Sequence, residues 1–255
     1  MRTRWRAGLA AFLAGALAAS GAQADPRDDF LSGRSHACPG CDFAGVNFKR
    51  RDLSGADLTG ANLRDANLHD AQLGGARLAG ADLTRANLNK ANLVRADLHG
   101  TILRDAMLYA ATLDDANLAG AELTGALMGT AKMTRSDLTR ANLRDADLRK
   151  ARFAEAILTG ADLSAAALDL AFVRGARLDA ANMKGARLIG TRLVDTNLTG
   201  ADLTGANLLG ATLRGVDLTG ANLTGANLSK STMQATRIDD AVFGNTTMSD
   251  GTVRP

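Results

Sequence analysis

A five-residue beat runs from Phe43 to Val253 without a slip, and it leaves this chain very few folds to choose from. Counting every fifth residue gives 43 centres, of which 31 are Leu and the others Phe, Met, Val or Ile. Two places before the centre the residue is Ala in 31 of the 43 units. A helix turns about 100° per residue, so a spacing of five would smear the leucines around its cylinder. A strand has period two, which five also breaks. What remains is a short extended piece with a corner in every unit, the Ala and the Leu pointing in and three places pointing out. Gly closes 18 of the units, as a corner with positive φ requires. Such a chain winds as a solenoid whose units bury their apolar faces only against their neighbours.

Units such as Ala56-Asp57-Leu58-Thr59-Gly60, Ala61-Asn62-Leu63-Arg64-Asp65 and Ala221-Asn222-Leu223-Thr224-Gly225 resemble the pentapeptide-repeat family, with its A(D/N)LXX unit. The resemblance covers residues 41 to 253. It implies an all-β fold, a right-handed quadrilateral parallel β-helix with four units per 20-residue coil and about eleven coils. At the strand spacing such a rod is about 50 Å long.

The charges support the coil length independently. Residues 20 apart would stack at roughly 4.8 Å, where like charges repel. At the closing place of the units all eight charged pairs 20 apart are of opposite sign, among them Arg50 with Asp70, Asp65 with Arg85 and Asp115 with Arg135. The place before the centre holds 11 acids, none of them 20 residues from another.

The first 24 residues read as a secretory signal peptide: Arg2, Arg4 and Arg6, an apolar stretch from Ala7 to about Ala19, and Ala22-Gln23-Ala24 as a small-x-small cleavage pattern. The expected location is therefore secreted or periplasmic. Cleavage after Ala24 removes three Arg and no acid, so the net charge of +3 falls to zero. A balanced mature chain has no overall basic excess to attract nucleic acid or anionic lipid. No later segment is long and apolar enough to span a membrane.

Residues 25 to 40 lie outside the beat, and Phe30-Leu31 there is expected to cap the first coil. Cys38 and Cys41 fall on the two inward phases. In an exported protein they are expected to form a disulfide closing that end. A second reading adds His36 as a partial metal site lacking a fourth ligand. Arg51 replaces Ala in the first coil and would carry a charge inward, so either that coil loosens or Arg51 reaches out of the open end.

No catalytic, cofactor-binding or metal constellation stands out: His69 and His99 fall on outward places of different faces, and the many Asp residues are expected to bind turn backbone. The chain reads as a noncatalytic scaffold or protein-interaction module. On the 20-residue coil Met107, Tyr109, Leu127, Leu170, Ile189 and Leu209 share one outward face, with Phe172 just around its corner. They form a candidate contact patch, interrupted by Asp147, Arg149 and Lys150. Two other readings stay open. One is a DNA-mimicking, topoisomerase-binding protein, implied by the family resemblance and opposed by the balanced charge. The other is an ice-binding or surface-recognition solenoid, for which Thr59, Thr139, Thr159, Thr199 and Thr219 form only a broken column. The last coil carries Ile238, Phe243, Met248 and Val253 at the centre phase. An apolar disc there, together with the family's habit of dimerising through C-terminal coils, implies a homodimer.

Overall fold

A computed structural model describes residues 25 to 255; the signal-peptide reading of residues 1 to 24 lies outside them. The described chain is one quadrilateral β-helix. Parallel bridges pair each residue before a centre with the residue 20 further on, from Ala37↔Asp57 to Asn227↔Thr247, so the coil length is 20 throughout. In most units the N–H after the closing place donates to the carbonyl of the centre, as Ala61 does to Leu58 at 3.0 Å, but the corners after Val173, Leu193, Leu213, Met233 and Phe243 lack this bond. The closing residue alone has positive φ, for example Gly60 at 64°, which is the pattern of a type II turn. The same place keeps positive φ where it is not Gly, from Arg50 at 58° to Asn245 at 55°.

Ala and Leu fill the interior and are buried from Leu53 to Leu228. Six polar residues at the Ala phase are buried; Ser231 Oγ has no hydrogen-bond partner, Thr246 donates to Leu223 O at 2.6 Å, and the other four hydroxyls likewise donate to backbone carbonyls. Ser136 reaches Met133 O at 2.9 Å, Thr191 reaches Leu168 O at 2.7 Å, Thr196 reaches Val173 O at 2.8 Å, and Thr101 reaches Leu98 O. On the outside, Asp and Asn before the centre accept the N–H two residues on, as Asp57 does from Thr59 at 3.1 Å. Three units extend this bridging into a small parallel sheet: β1 (Phe172–Arg174), β2 (Arg192–Val194) and β3 (Thr212–Arg214).

Both ends depart from the beat. At the N-terminal end the coil begins one unit earlier than the expected residue 41. Cys38 is fully buried and its N–H donates to Asp57 O at 2.8 Å, while Gly40 closes the unit with φ 69°. Ahead of it, α1 (Pro26–Leu31) is capped by the Asp25 carboxylate. It lays Phe30 over the coil against Phe43 and Phe48, with ring centroids 5.1 and 6.2 Å away. Arg51 leaves the interior through this end, and its Nη2 donates to the carbonyls of Phe30 (2.7 Å) and Leu31 (2.8 Å). It thus satisfies acceptors that a helix C-terminus leaves open, and the coil around it keeps register.

At the C-terminal end the expectation that Val253 continues the coil fails. After Met248 the chain reverses, and β5 (Val253–Arg254) pairs antiparallel with β4 (Thr246–Thr247). Val253 is exposed, and the Arg254 guanidinium lies 3.8 Å from the centroid of the Phe243 ring. The hairpin pairs the backbone of β5 locally with β4 rather than with the preceding coil.

Candidate interaction surface

Each coil contributes an outward place just before its second corner and another just after it, and the candidate patch is built on these. Tyr109, Leu127, Leu170 and Phe172 are 53%, 48%, 51% and 40% exposed, whereas Met107, Ile189 and Leu209 are half-buried. Glycines in the next coil give the large side chains room to lie flat. A Cβ on Gly129 would sit 3.3 Å from the Tyr109 ring, and one on Gly190 would sit 3.0 Å from Leu170 Cδ2. Leu170 occupies the closing place with φ 60°, and it is the one large apolar side chain among the residues held there with positive φ.

The residues that interrupt the patch are arranged so as to leave it open. Arg149 folds back on Asp147 with two hydrogen bonds of 2.8 and 2.6 Å, which hold the Asp147 carboxyl below its ordinary range. Asp169 is engaged by Arg187 at 2.7 Å and by the N–H of Ile189 at 3.1 Å. The patch is divided by this arrangement into two grooves. One, of about 230 Å³, lies beside Tyr109 and Arg149; the other, of about 500 Å³, is walled by Leu170 and Phe172.

The larger groove contains residues that the sequence reading passed over. Lys132, Lys150, Arg152 and Arg192 line it, and the guanidinium carbons of Arg152 and Arg192 stand 5.8 and 5.1 Å from the Phe172 ring centroid. The signal was present in the sequence: the test that found no stacked acids before the centre, applied to bases, finds Lys132 stacked on Arg152.

The remaining candidates are dispersed. Cys38 and Cys41 have their sulfurs together at the N-terminal end, with Cα atoms 5.5 Å apart, while His36 is exposed. Among the described residues no group of three or more His, Cys, Asp or Glu is arranged to hold a metal ion. His99 Nδ1 lies 2.9 Å from Asp97 Oδ1, and the buried Nδ1 of His69 has no hydrogen-bond partner. The acids do not form a continuous negative column, because ion pairs such as Asp65 with Arg85 (2.7 Å), Asp115 with Arg135 (2.8 Å) and Asp82 with Arg64 (3.0 Å) interleave them with arginine. The Thr column is broken by Ala79, His99, Ala119, Asp179 and Asp239.

Four-sided coils, inward Ala and Leu, and type II corners define a quadrilateral β-helix of pentapeptide units, right-handed as in that class. The model of the pentapeptide repeats matches in eight copies, from residues 41–78 to 213–250, and the chain belongs to the pentapeptide-repeat family. Among solved structures it is similar to HetL, a pentapeptide repeat protein involved in heterocyst differentiation regulation from the cyanobacterium Nostoc sp. strain PCC 7120. That match has 29% identity and a TM-score of 0.72, over 89% of this chain and 97% of HetL. The plasmid-mediated fluoroquinolone resistance protein QnrB1 shares 17% identity and a TM-score of 0.39, over 82% of this chain and 89% of its own. Rfr23 from the cyanobacterium Cyanothece 51142 shares 29% identity over 50% of this chain and 87% of its own, with a TM-score of 0.29. No curated protein matches significantly.

Proposed function

We propose that this protein is an exported, noncatalytic interaction module, a rigid rod that presents the strip from Tyr109 to Phe172 to a protein partner. One observation carries the reading: four large apolar side chains lie exposed on one side of a rod whose other outward places are mostly polar. Apolar residues exposed together mark contact surfaces. The backbone of Leu170 supports it, since a large apolar residue in the left-handed region pays a conformational cost that Gly, the usual closing residue, avoids. Export rests on the Arg-led apolar stretch from Ala7 to about Ala19 with its cleavage pattern at Ala22-Gln23-Ala24, and a Cys38–Cys41 disulfide at the sealed end fits an oxidising compartment.

The test is affinity capture with the mature rod against the extracytoplasmic fraction of its own cells, run beside the double variant Leu170→Asp, Ile189→Asp. The same protein should be recovered reproducibly by the native rod and lost with the variant, while both melt alike. Recovery unchanged by the variant would remove this strip from the interface. Edman sequencing of the exported chain should begin at Asp25; retention of residues 1 to 24 would overturn the export reading.

A further inference from the structure

Charge on this rod follows a rule. Outward charges stacked 20 residues apart alternate in sign, and ion pairs recur along the whole length, from Arg50–Asp70 to Arg237–Asp217. Lys132 and Arg152 break the rule: theirs is the one directly stacked pair of like charges among the described residues. Around them Lys150, Arg174, Arg192 and Arg214 are also exposed. None of these six cations has a carboxylate oxygen within 4.0 Å among the described residues. The acids on the same side, Glu155 and Asp195, sit at closing places, where Glu155 stacks next to Arg135 and Asp195 turns toward Gly215. A local rule broken without compensation inside an otherwise consistent sequence marks a functional position.

We propose that this corner, from Lys132 to Arg214, receives an acidic segment of a partner protein. The proposal rests on the interaction-module reading and names the chemistry of the partner. The cations are held ready: Arg174, Arg192 and Arg214 lie on β1, β2 and β3, the most extended sheet of the repeat. Phe172 stands between Arg152 and Arg192 in the stack, separating two like charges and attracting both guanidiniums to its ring. Their forked donors remain available to the 500 Å³ groove, where they match carboxylates in pairs. Leu170 and Phe172 wall that groove, so the fitting ligand carries acidic side chains next to an apolar one. A nucleic acid fits less well, since an aromatic platform for bases needs a free ring face and the Phe172 ring is flanked by guanidinium on two sides.

The experiment measures binding of a fluorescein-labelled peptide alternating Glu and Leu to the mature rod, beside a peptide with Lys in place of Glu and a single-stranded oligonucleotide. The Glu peptide should bind, and its affinity should fall as salt is raised. In the variant Arg152→Gln, Arg192→Gln affinity should drop by roughly tenfold or more. The melting temperature of that variant should hold, because both residues are exposed and their removal relieves like-charge repulsion. Lack of Glu-peptide binding, equal binding of the Lys peptide, unchanged affinity in the variant, or preference for the oligonucleotide would each overturn the proposal. A partner lost with Leu170→Asp, Ile189→Asp but retained with Arg152→Gln, Arg192→Gln would defeat the acidic-segment assignment and leave the interaction module standing. A partner retained by both variants would defeat the strip as well.

Discussion

Replacing Leu170 with Gly separates contact from stability more sharply than any other single change on this rod. Leu170 sits at φ 60° with about half its side chain exposed. Left-handed backbone costs an L-residue roughly 1–2 kcal/mol, which Gly recovers. Against this, Gly gives up the buried half of the side chain, about 1 kcal/mol, and pays roughly 0.5–1 kcal/mol more chain entropy on folding. The sum lies within about 1 kcal/mol of zero, a melting shift of no more than about 2–4 °C for a chain of this size. Two residues earlier, Leu168 is buried in the stack. Leu168→Ala should cost about 2–5 kcal/mol and lower the melting temperature several-fold further. Thermal unfolding by circular dichroism, paired with partner or peptide binding, reads both effects. The expected pattern is a crossed one: Leu170→Gly keeps stability and loses binding, and Leu168→Ala loses stability first. A melting loss for Leu170→Gly as large as that for Leu168→Ala would refute the reasoning, for it would make Leu170 part of the packing.

Acid should unfold the rod only below about pH 4. Asp57 and Asp217 accept from the hydroxyl and N–H of Thr59 and Thr219, which lowers their folded-state pKa. That stability is present above the ordinary carboxylate value and is lost as pH falls through the depressed one, so Asp57→Asn with Asp217→Asn should flatten the acid limb of a melting-versus-pH curve. Thiol titration of the exported protein should find Cys38 and Cys41 oxidised, and two free thiols in unreduced material would reject the bond. Arg51→Ala should detach α1 and expose Phe30, seen as faster amide exchange over residues 26 to 35 with the later coils unchanged. Self-association through Phe243 and its neighbours predicts a dimer by light scattering that Phe243→Asp converts to a monomer; a native chain already monomeric at high micromolar concentration would rule it out.

The interior was legible in the sequence because one geometry repeats. Ala at one place and Leu two later state the inward phases, and the signs of Arg50, Asp70 and Lys90 state the 20-residue coil before any bridge is seen. Membership of the coil was less legible at the ends, because side-chain size and backbone pairing part company there. His36 lacks the Ala signature, yet its carbonyl accepts from Asp57 N–H at 2.9 Å and its unit belongs to the coil. Val253 keeps the beat, yet it leaves the coil and pairs antiparallel with Thr247 as part of β5. The groove was hidden for another reason: each of its cations is unremarkable alone, and only stacking brings Lys132 to Arg152 and places both arginines against Phe172.

The two ends also differ in what they leave open. At the N-terminal end three phenylalanines and α1 cover the first coil, and the one cation drawn inward is spent on helix carbonyls. At the C-terminal end Met233, Ile238, Phe243 and Met248 pack on the core but remain partly exposed, with only the β5 hairpin and the Arg254 guanidinium across them. A solenoid can add copies wherever an edge and an apolar layer are both accessible, and this rod offers that combination at one end. Contact between like ends buries both discs and leaves no further end of the same kind. Association through this surface would therefore stop at a pair, and it would leave the proposed strip from Tyr109 to Phe172 on the flank of each rod free for a different partner.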